Sequence, residues 1–491
     1  MTVPGSSRPT PRGSDDDSDG NHPGPGGSGA APAPGPGTPA VDVTRGSGLR
    51  RRLRSPHDRE ILRLAVPAFG ALIAEPVYLL ADSAIVGHLG TPQLGALGLA
   101  GTALQTLVGL CIFLAYATTA SVARQVGAGD RRSALAFGID GLWLALGLGV
   151  VLALVGTLVA PAVVEAFGPS EAVHEYAVTY LRVAILGMPA LLLTFAGTGV
   201  LRGLQDTRTP LWVAGASYVG NVVLNVLFVY GFDWGIAGSA WGTVLAQTGG
   251  AVALVVVVVR GARRHGASLR PDLSGIRASM HAGVPLIIRT LTLRVALLAT
   301  TYVATSSGDT ALAAHQVAFT LWNTLSIALD AIAIAGQAIV GRYLGASDVR
   351  GTRATTRRMI EWGIGAGALF GLVIVLARPL YVPLFTSDTE VQALLAQVIL
   401  VFAVFEPIAG VVFVLDGVLI GAGDGRYLAY AGLLTLVAFL PLAWLVYATD
   451  GGLTALWWAF GGFMVARLVT LVVRERGTAW LITGAQSAGR S

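Results

Sequence analysis

Two carboxylates stand inside an apolar stretch near the start of this chain. Leu62–Gly90 reads LRLAVPAFGALIAEPVYLLADSAIVGHLG and carries Glu75 and Asp82. The stretch is long enough to cross a bilayer, which takes roughly 20 apolar residues. A charge at membrane depth costs at least ~2.5 kcal/mol on insertion scales, so such a residue is a functional candidate by default. Seven residues apart, the two acids share one helical face, which should look into the protein or a water-filled cavity. A carboxylate so placed can exchange a proton or balance a cation. Tyr78 lies between them and is a candidate to line a substrate cavity. Pro67 and Pro76 remove backbone hydrogen bonds from the same helix and give it places to bend.

Other polar side chains fall in apolar runs at helical spacing. Ser217, Asn221 and Asn225 recur every four residues, as do Ser239, Thr243 and Gln247. Such stripes serve either ligand binding or hydrogen bonding between membrane helices. Asn323, Asp330 and Gln337 are spaced by seven, with Ser326 on the same side. Asp416 and Arg294 lie deep in two further apolar runs. Arg294 is expected to pair with Asp330 or Asp416, since a buried charge needs a partner, and this set also offers a substrate or gating site. Glu406 directly precedes Pro407 and is expected near a helix break. His88 and His315 are expected at the surface, near the outer ends of their spans.

These residues must be held by membrane helices. The chain of 491 residues is 54% hydrophobic and only 12% charged, where soluble proteins carry about 25% charged residues. The all-α fold expected is that of a polytopic membrane protein with twelve spans between about 60 and 475. Its net charge of +5 resides in short connections, not on a soluble basic domain, so nucleic acid is not an expected partner. Cys111, the sole cysteine, can form no internal disulfide. Residues 1–55, rich in Pro and Gly, read as a disordered tail. Arg50, Arg51, Arg52 and Arg54 then precede the first span as an anchor for anionic lipid headgroups.

Alternate connections are arginine-rich or arginine-free. One set of connections holds Arg124, Arg131 and Arg132, then Arg202 and Arg208, and later Arg342, Arg350 and Arg353, whereas GHLGTPQ, YGFDWG and LFTSDTE in the other set have none. The positive-inside rule then places both termini in the cytoplasm of a cell whose plasma membrane holds the chain. The halves repeat: Gly90–Asp130 aligns without gaps on Gly308–Asp348, an offset of 218. The same offset pairs Pro67 with Pro285, Pro189 with Pro407 and Asp206 with Asp424. Two six-helix lobes follow, 56–262 and 263–478, with a cytoplasmic tail over 479–491. Parallel repeats with a site at or within them are a transporter pattern.

ADSAIVGHLGT in the first span, ALAAHQ, SIALDAIAIAGQAIVGRYLGA and LDGVLIGAGD resemble the multidrug and toxic compound extrusion (MATE) transporters, in their DinF branch. The resemblance covers about 60–475. It implies an alternating-access antiporter that expels organic, often cationic compounds against an inward flow of H⁺ or Na⁺. It also implies that Asp82, Asn221, Asn225 and Thr243 form a cation cluster in the amino lobe. Where archaeal relatives of this branch carry a second Asp, this chain has Asn225. One carboxylate among amides suits a proton, and a dehydrated Na⁺ would find one formal charge to balance it.

The expectations are therefore a non-enzymatic, proton-coupled antiporter without cofactor, with Na⁺ coupling as the alternative. Its partners are a small organic substrate and membrane lipids, and it is expected to be a monomer. No P-loop and no Cys/His metal motif occur in the sequence. The rival is a lipid-linked oligosaccharide flippase of the same superfamily, which would need several cations for pyrophosphate. Arg289 and Arg294 are its main candidates. Gly363, Gly367 and Gly371, at GxxxG spacing, read as close helix packing.

Overall fold

In lipid the backbone must satisfy its own hydrogen bonds, so apolar segments of this length become helices. The structure, a computed structural model, describes residues 56–485. The expected disordered tail, its arginine run and the last six residues lie outside the described residues. In order the helices are α1 Pro56–Gly87, α2 Thr91–Cys111, α3 Phe113–Gly127, α4 Arg131–Glu165, α5 Glu171–Ile185, α6 Met188–Gly203, α7 Arg208–Val226 and α8 Gly235–Arg264. The second half continues with α9 Leu273–Ser306, α10 Asp309–Gly345, α11 Val349–Leu376, α12 Arg378–Phe385, α13 Thr389–Gly421, α14 Gly425–Ala448 and α15 Gly452–Arg476. Among the described residues 11 helical stretches are long and apolar enough to span a membrane, one of them α2 and α3 taken together. The α5–α6 pair, bent by 47°, makes a twelfth if read as one span.

The internal repeat is visible element by element. α2 with α3 covers Thr91–Gly127, and α10 covers Asp309–Gly345, the same length at an offset of 218. Packing repeats as well: α6 sits against α3 and α4, as α13 sits against α10 and α11. Connections match too. Asp130 caps α4 by accepting from the Ser133 amide at 2.9 Å, and Asp348 caps α11 through Gly351 at 2.8 Å. The Ser133 side chain and amide hold the Asp130 carboxyl below its usual range. Gly90 and Gly308 both adopt positive φ, 142° and 96°, before counterpart helices.

Prolines act differently in the two halves. α1 runs unbroken through Pro67 and Pro76. Pro189 opens α6 after a real break, whereas its counterpart Pro407 lies inside a continuous α13. The helix break expected beside Glu406 is therefore absent, because α13 absorbs the missing N–H without interruption. The GxxxG face of α11 does lie against α13. A Cβ on Gly363, Gly367 or Gly371 would come 2.6, 2.3 or 2.7 Å from the carbonyl oxygens of Gly410, Glu406 and Ala403.

The lobes meet tightly at the end bearing the arginine-rich connections. A Cβ on Gly127 would fall 2.0 Å from the Arg342 carbonyl oxygen, and one on Gly345 would fall 2.0 Å from that of Arg124. Arg124 and Arg342 are themselves repeat counterparts, so α3 and α10 cross there about the symmetry relating the halves. Around this crossing Arg342 pairs with Glu60, and Arg358 with Asp58 at 2.7 Å. The chain after α15 folds back onto the same end with Trp480 fully buried. Arg124 donates to Ile482 O at 2.8 Å and to Ala422 O at 2.5 Å, and Gly484 N donates to Leu344 O at 3.0 Å. Farther along these spans from that end, Thr102 and Thr106 of α2 and their counterparts Thr320 and Thr324 of α10 are exposed.

Candidate functional site

Asp82 is 3% exposed and sits one and a half turns before the end of α1. Its Oδ1 accepts from Asn225 Nδ2 at 2.7 Å and from Ser239 Oγ at 2.6 Å. Asn225 Nδ2 also donates to Asn221 Oδ1 at 3.1 Å, and Asn221 Nδ2 to Thr243 Oγ1 at 2.9 Å. Tyr78 OH completes the chain on Thr243 at 3.3 Å. Three helices, α1, α7 and α8, thus converge on one carboxylate. Their four-residue stripes face each other in antiparallel order, so that Asn221 meets Thr243 one turn away from the level at which Asn225 and Ser239 meet Asp82. Gly242 opens the space between them, since a Cβ there would lie 2.0 Å from Asn225 Oδ1. That Oδ1 is buried without a hydrogen-bond partner. A π-helical turn, Leu227–Gly231, follows at once.

The structure therefore brings together Asp82, Asn221, Asn225, Thr243 and Tyr78. It adds Ser239, legible in the polar stripe but not singled out, and the buried Tyr180 of α5, which interacts with the Asp82 carboxyl. A tyrosine in an otherwise ordinary helix carries no signal that it will reach another helix. Glu75 stays accessible on the same face of α1, within electrostatic reach of Tyr78 and Tyr218, whose rings stack 5.1 Å apart. Among the described residues no group of His, Cys, Asp and Glu side chains could hold a metal ion.

The carboxyl lobe holds a different arrangement, and here an expectation fails. Arg294 pairs with neither Asp330 nor Asp416; it is exposed, and its guanidinium lies over Gly109 of α2, 2.7 Å from where a Cβ would be. Arg289 takes Asp416 at 2.5 Å, and Arg467 of α15 donates to the same Oδ2. At 3.6 residues per turn, five residues carry Arg294 well round the helix from Arg289, and only Arg289 faces α13. Asp330 lies within electrostatic reach of both Arg289 and the buried Arg202 of α6. In sequence Arg202 reads as a connection residue, and Arg467 stands in an apolar run without a spacing that ties it to Asp416. Along α10, Asn323 is exposed, Asp330 half-buried and Gln337 buried, so the face closes toward the lobe crossing.

One further residue departs from expectation. His315 is 1% exposed, not at the surface: it lies 3.3 Å from Thr301 Oγ1 and against the rings of Phe319 and Trp457. Glu406 is also 1% exposed, beside a small void lined by Trp322, Phe402, Phe405, Trp457 and Phe460.

Similarity to known proteins runs through both lobes. The MatE family model matches residues 67–227 and 285–445. The DNA damage-inducible protein F of Escherichia coli is 30% identical over 424 residues, covering 84% of this chain and 91% of that protein. Protein DETOXIFICATION 44, chloroplastic, of Arabidopsis thaliana is 29% identical, covering 84% and 80%. A probable multidrug resistance protein NorM of Thermotoga maritima is 24% identical, covering 74% and 80%. Among solved structures, a multidrug resistance MATE transporter in an outward-facing conformation superimposes with a TM-score of 0.79 at 22% identity, covering 88% of this chain and 98% of the other. A MOP superfamily transporter from Pyrococcus furiosus, reported with a binding pocket of reversed polarity, gives 0.78 at 22% identity, covering 90% and 99%. With both repeats matched, the chain belongs to the multidrug and toxic compound extrusion family, whose members are membrane transporters and not enzymes.

Proposed function

We propose that this protein is a secondary antiporter that expels small organic compounds, often cationic, in exchange for protons by alternating access, with Asp82 as the proton carrier. The observation that carries the reading is the Asp82 cluster: one buried carboxylate, hydrogen-bonded by neutral donors from two other helices. Hydrogen bonds to an ionised acceptor are roughly twice as strong as neutral ones. Ionised Asp82 therefore ties α1 firmly to α7 and α8 and attracts a cation. Protonation removes the charge, weakens the bonds from Asn225 and Ser239, and frees α1 to bend at Pro67 or Pro76. Substrate is then released outward, and loss of the proton to the cytoplasm restores the cluster. The acid is alone among amides and hydroxyls, which favours H⁺ over Na⁺ as the coupling ion. A monomer in the plasma membrane with both termini cytoplasmic completes the reading.

The test is Asp82→Asn, which imitates the protonated state. The variant should fold and insert but lose substrate uptake into everted vesicles driven by a proton gradient, with a sodium gradient run separately. Purified wild type should release protons when substrate binds, and the variant should not. Undiminished efflux and proton release in Asp82→Asn would end this mechanism.

A further inference from the structure

The interior of the protein holds an alternating row of charges that ends with one cation too many. Arg202, Asp330, Arg289, Asp416 and Arg467 follow one another, each within electrostatic reach of the next. Three guanidiniums face two carboxylates, so the row carries one net positive charge. Both Arg289 and Arg467 converge on the single Oδ2 of Asp416, which neutralises one of them. Arg289 Nε is buried and has no hydrogen-bond partner. A void opens beside this unbalanced end, lined by Arg289, Asp416, Arg467, Thr292, Thr435 and Phe463. Phe463 also carries the Arg467 guanidinium over its ring at 5.9 Å. Gly432 keeps the void open: a Cβ there would lie 2.5 Å from Thr292 Oγ1.

An uncompensated charge away from water is costly, and a group with spare N–H donors and no acceptor adds to that cost. We propose that this void, enclosed by α9, α13, α14 and α15, is a binding site for one small anionic group, a halide ion or the carboxylate of an organic acid. The bound anion is the sixth member of the row and brings its charge to zero. Guanidinium groups suit either ligand, taking a carboxylate through paired N–H donors and a halide as a point charge. The size of the void restricts the occupant to an ion or to the head of a larger molecule. This inference is independent of which residue carries the coupled proton, because it concerns binding at a separate place.

The test uses full-length protein in detergent at fixed ionic strength, with gluconate replaced stepwise by chloride in one arm and by benzoate in the other. The melting temperature of wild type should rise and saturate by several degrees in at least one arm. Saturation with benzoate alone assigns the site to organic carboxylates, and saturation with chloride assigns a halide-sized site. Arg467→Gln removes the surplus charge and should abolish the rise. Asp416→Asn leaves two guanidiniums unshared and should shift the saturation to at least severalfold lower anion concentration. Gly432→Ala narrows the void without altering any charge and should weaken binding. No saturable rise in wild type, or an undiminished rise in both Arg467→Gln and Gly432→Ala, would overturn the proposal.

Discussion

At the scale of single residues, the amino-lobe cluster depends on a side chain that is missing. Gly242 is where Asn225 fits, and an added methyl would stand 2.0 Å from Asn225 Oδ1. Gly242→Ala should therefore push Asn225 off Asp82 while leaving every hydrogen-bonding residue in place. A hydrogen bond to a charged group contributes roughly 1.5–3 kcal/mol, so proton-driven efflux should drop about tenfold or more. Gel filtration should show the variant still folded. Full efflux in Gly242→Ala would mean that the Asn225 contact is dispensable. In the carboxyl lobe the same scale decides who pairs with whom. Asp416 lies between α9 and α15, so its partners are the arginines those helices aim at it, not the arginine that looked most buried in sequence.

At the scale of elements, the packing of α11 on α13 rests on backbone-to-backbone approach. Gly367 admits the Glu406 carbonyl at a distance where a Cβ would be 2.3 Å away, and backbone cannot step aside as a side chain can. Overpacking of this kind typically costs ~1–3 kcal/mol, so Gly367→Ala should lower the melting temperature in detergent clearly. Gly365 offers the control: a Cβ there meets nothing within 4 Å, and Gly365→Ala should melt like wild type. Equal melting of the two variants would show that this helix pair is looser than its geometry implies. α1 is the opposite case. It is continuous through both prolines, and fewer backbone bonds hold it straight there.

At the scale of the whole molecule, two lobes built on one plan close against each other at the arginine-rich end. Reciprocal contacts of Gly127 and Gly345, two ion pairs to the start of α1 and the returning chain at Trp480 all fall at that end. On the orientation proposed above this end is cytoplasmic, which labelling can check. In a Cys111→Ala background, a cysteine at Ser387 should react with an impermeant thiol reagent on intact cells, and one at Ser347 should not. Both positions are exposed, so access alone decides the result. Reversed labelling would invert the topology.

Much of this architecture was legible along the chain because it depends on local composition. Helices follow from apolar length, the lobes from the 218-residue offset, and the polar stripes of α7 and α8 from four-residue spacing. The family followed from the order of motifs in both halves. Which long side chains meet across helices was not legible. Arg289 and Arg294 look alike in sequence, yet helix rotation sends one to Asp416 and the other toward Gly109. Tyr180, Arg202 and Arg467 reach partners on other helices, and no spacing along one helix encodes the azimuth of its neighbour. Polar periodicity is a property of a segment and can be read from it. Charge pairing is a property of packed rotations, and only the tertiary structure decided it.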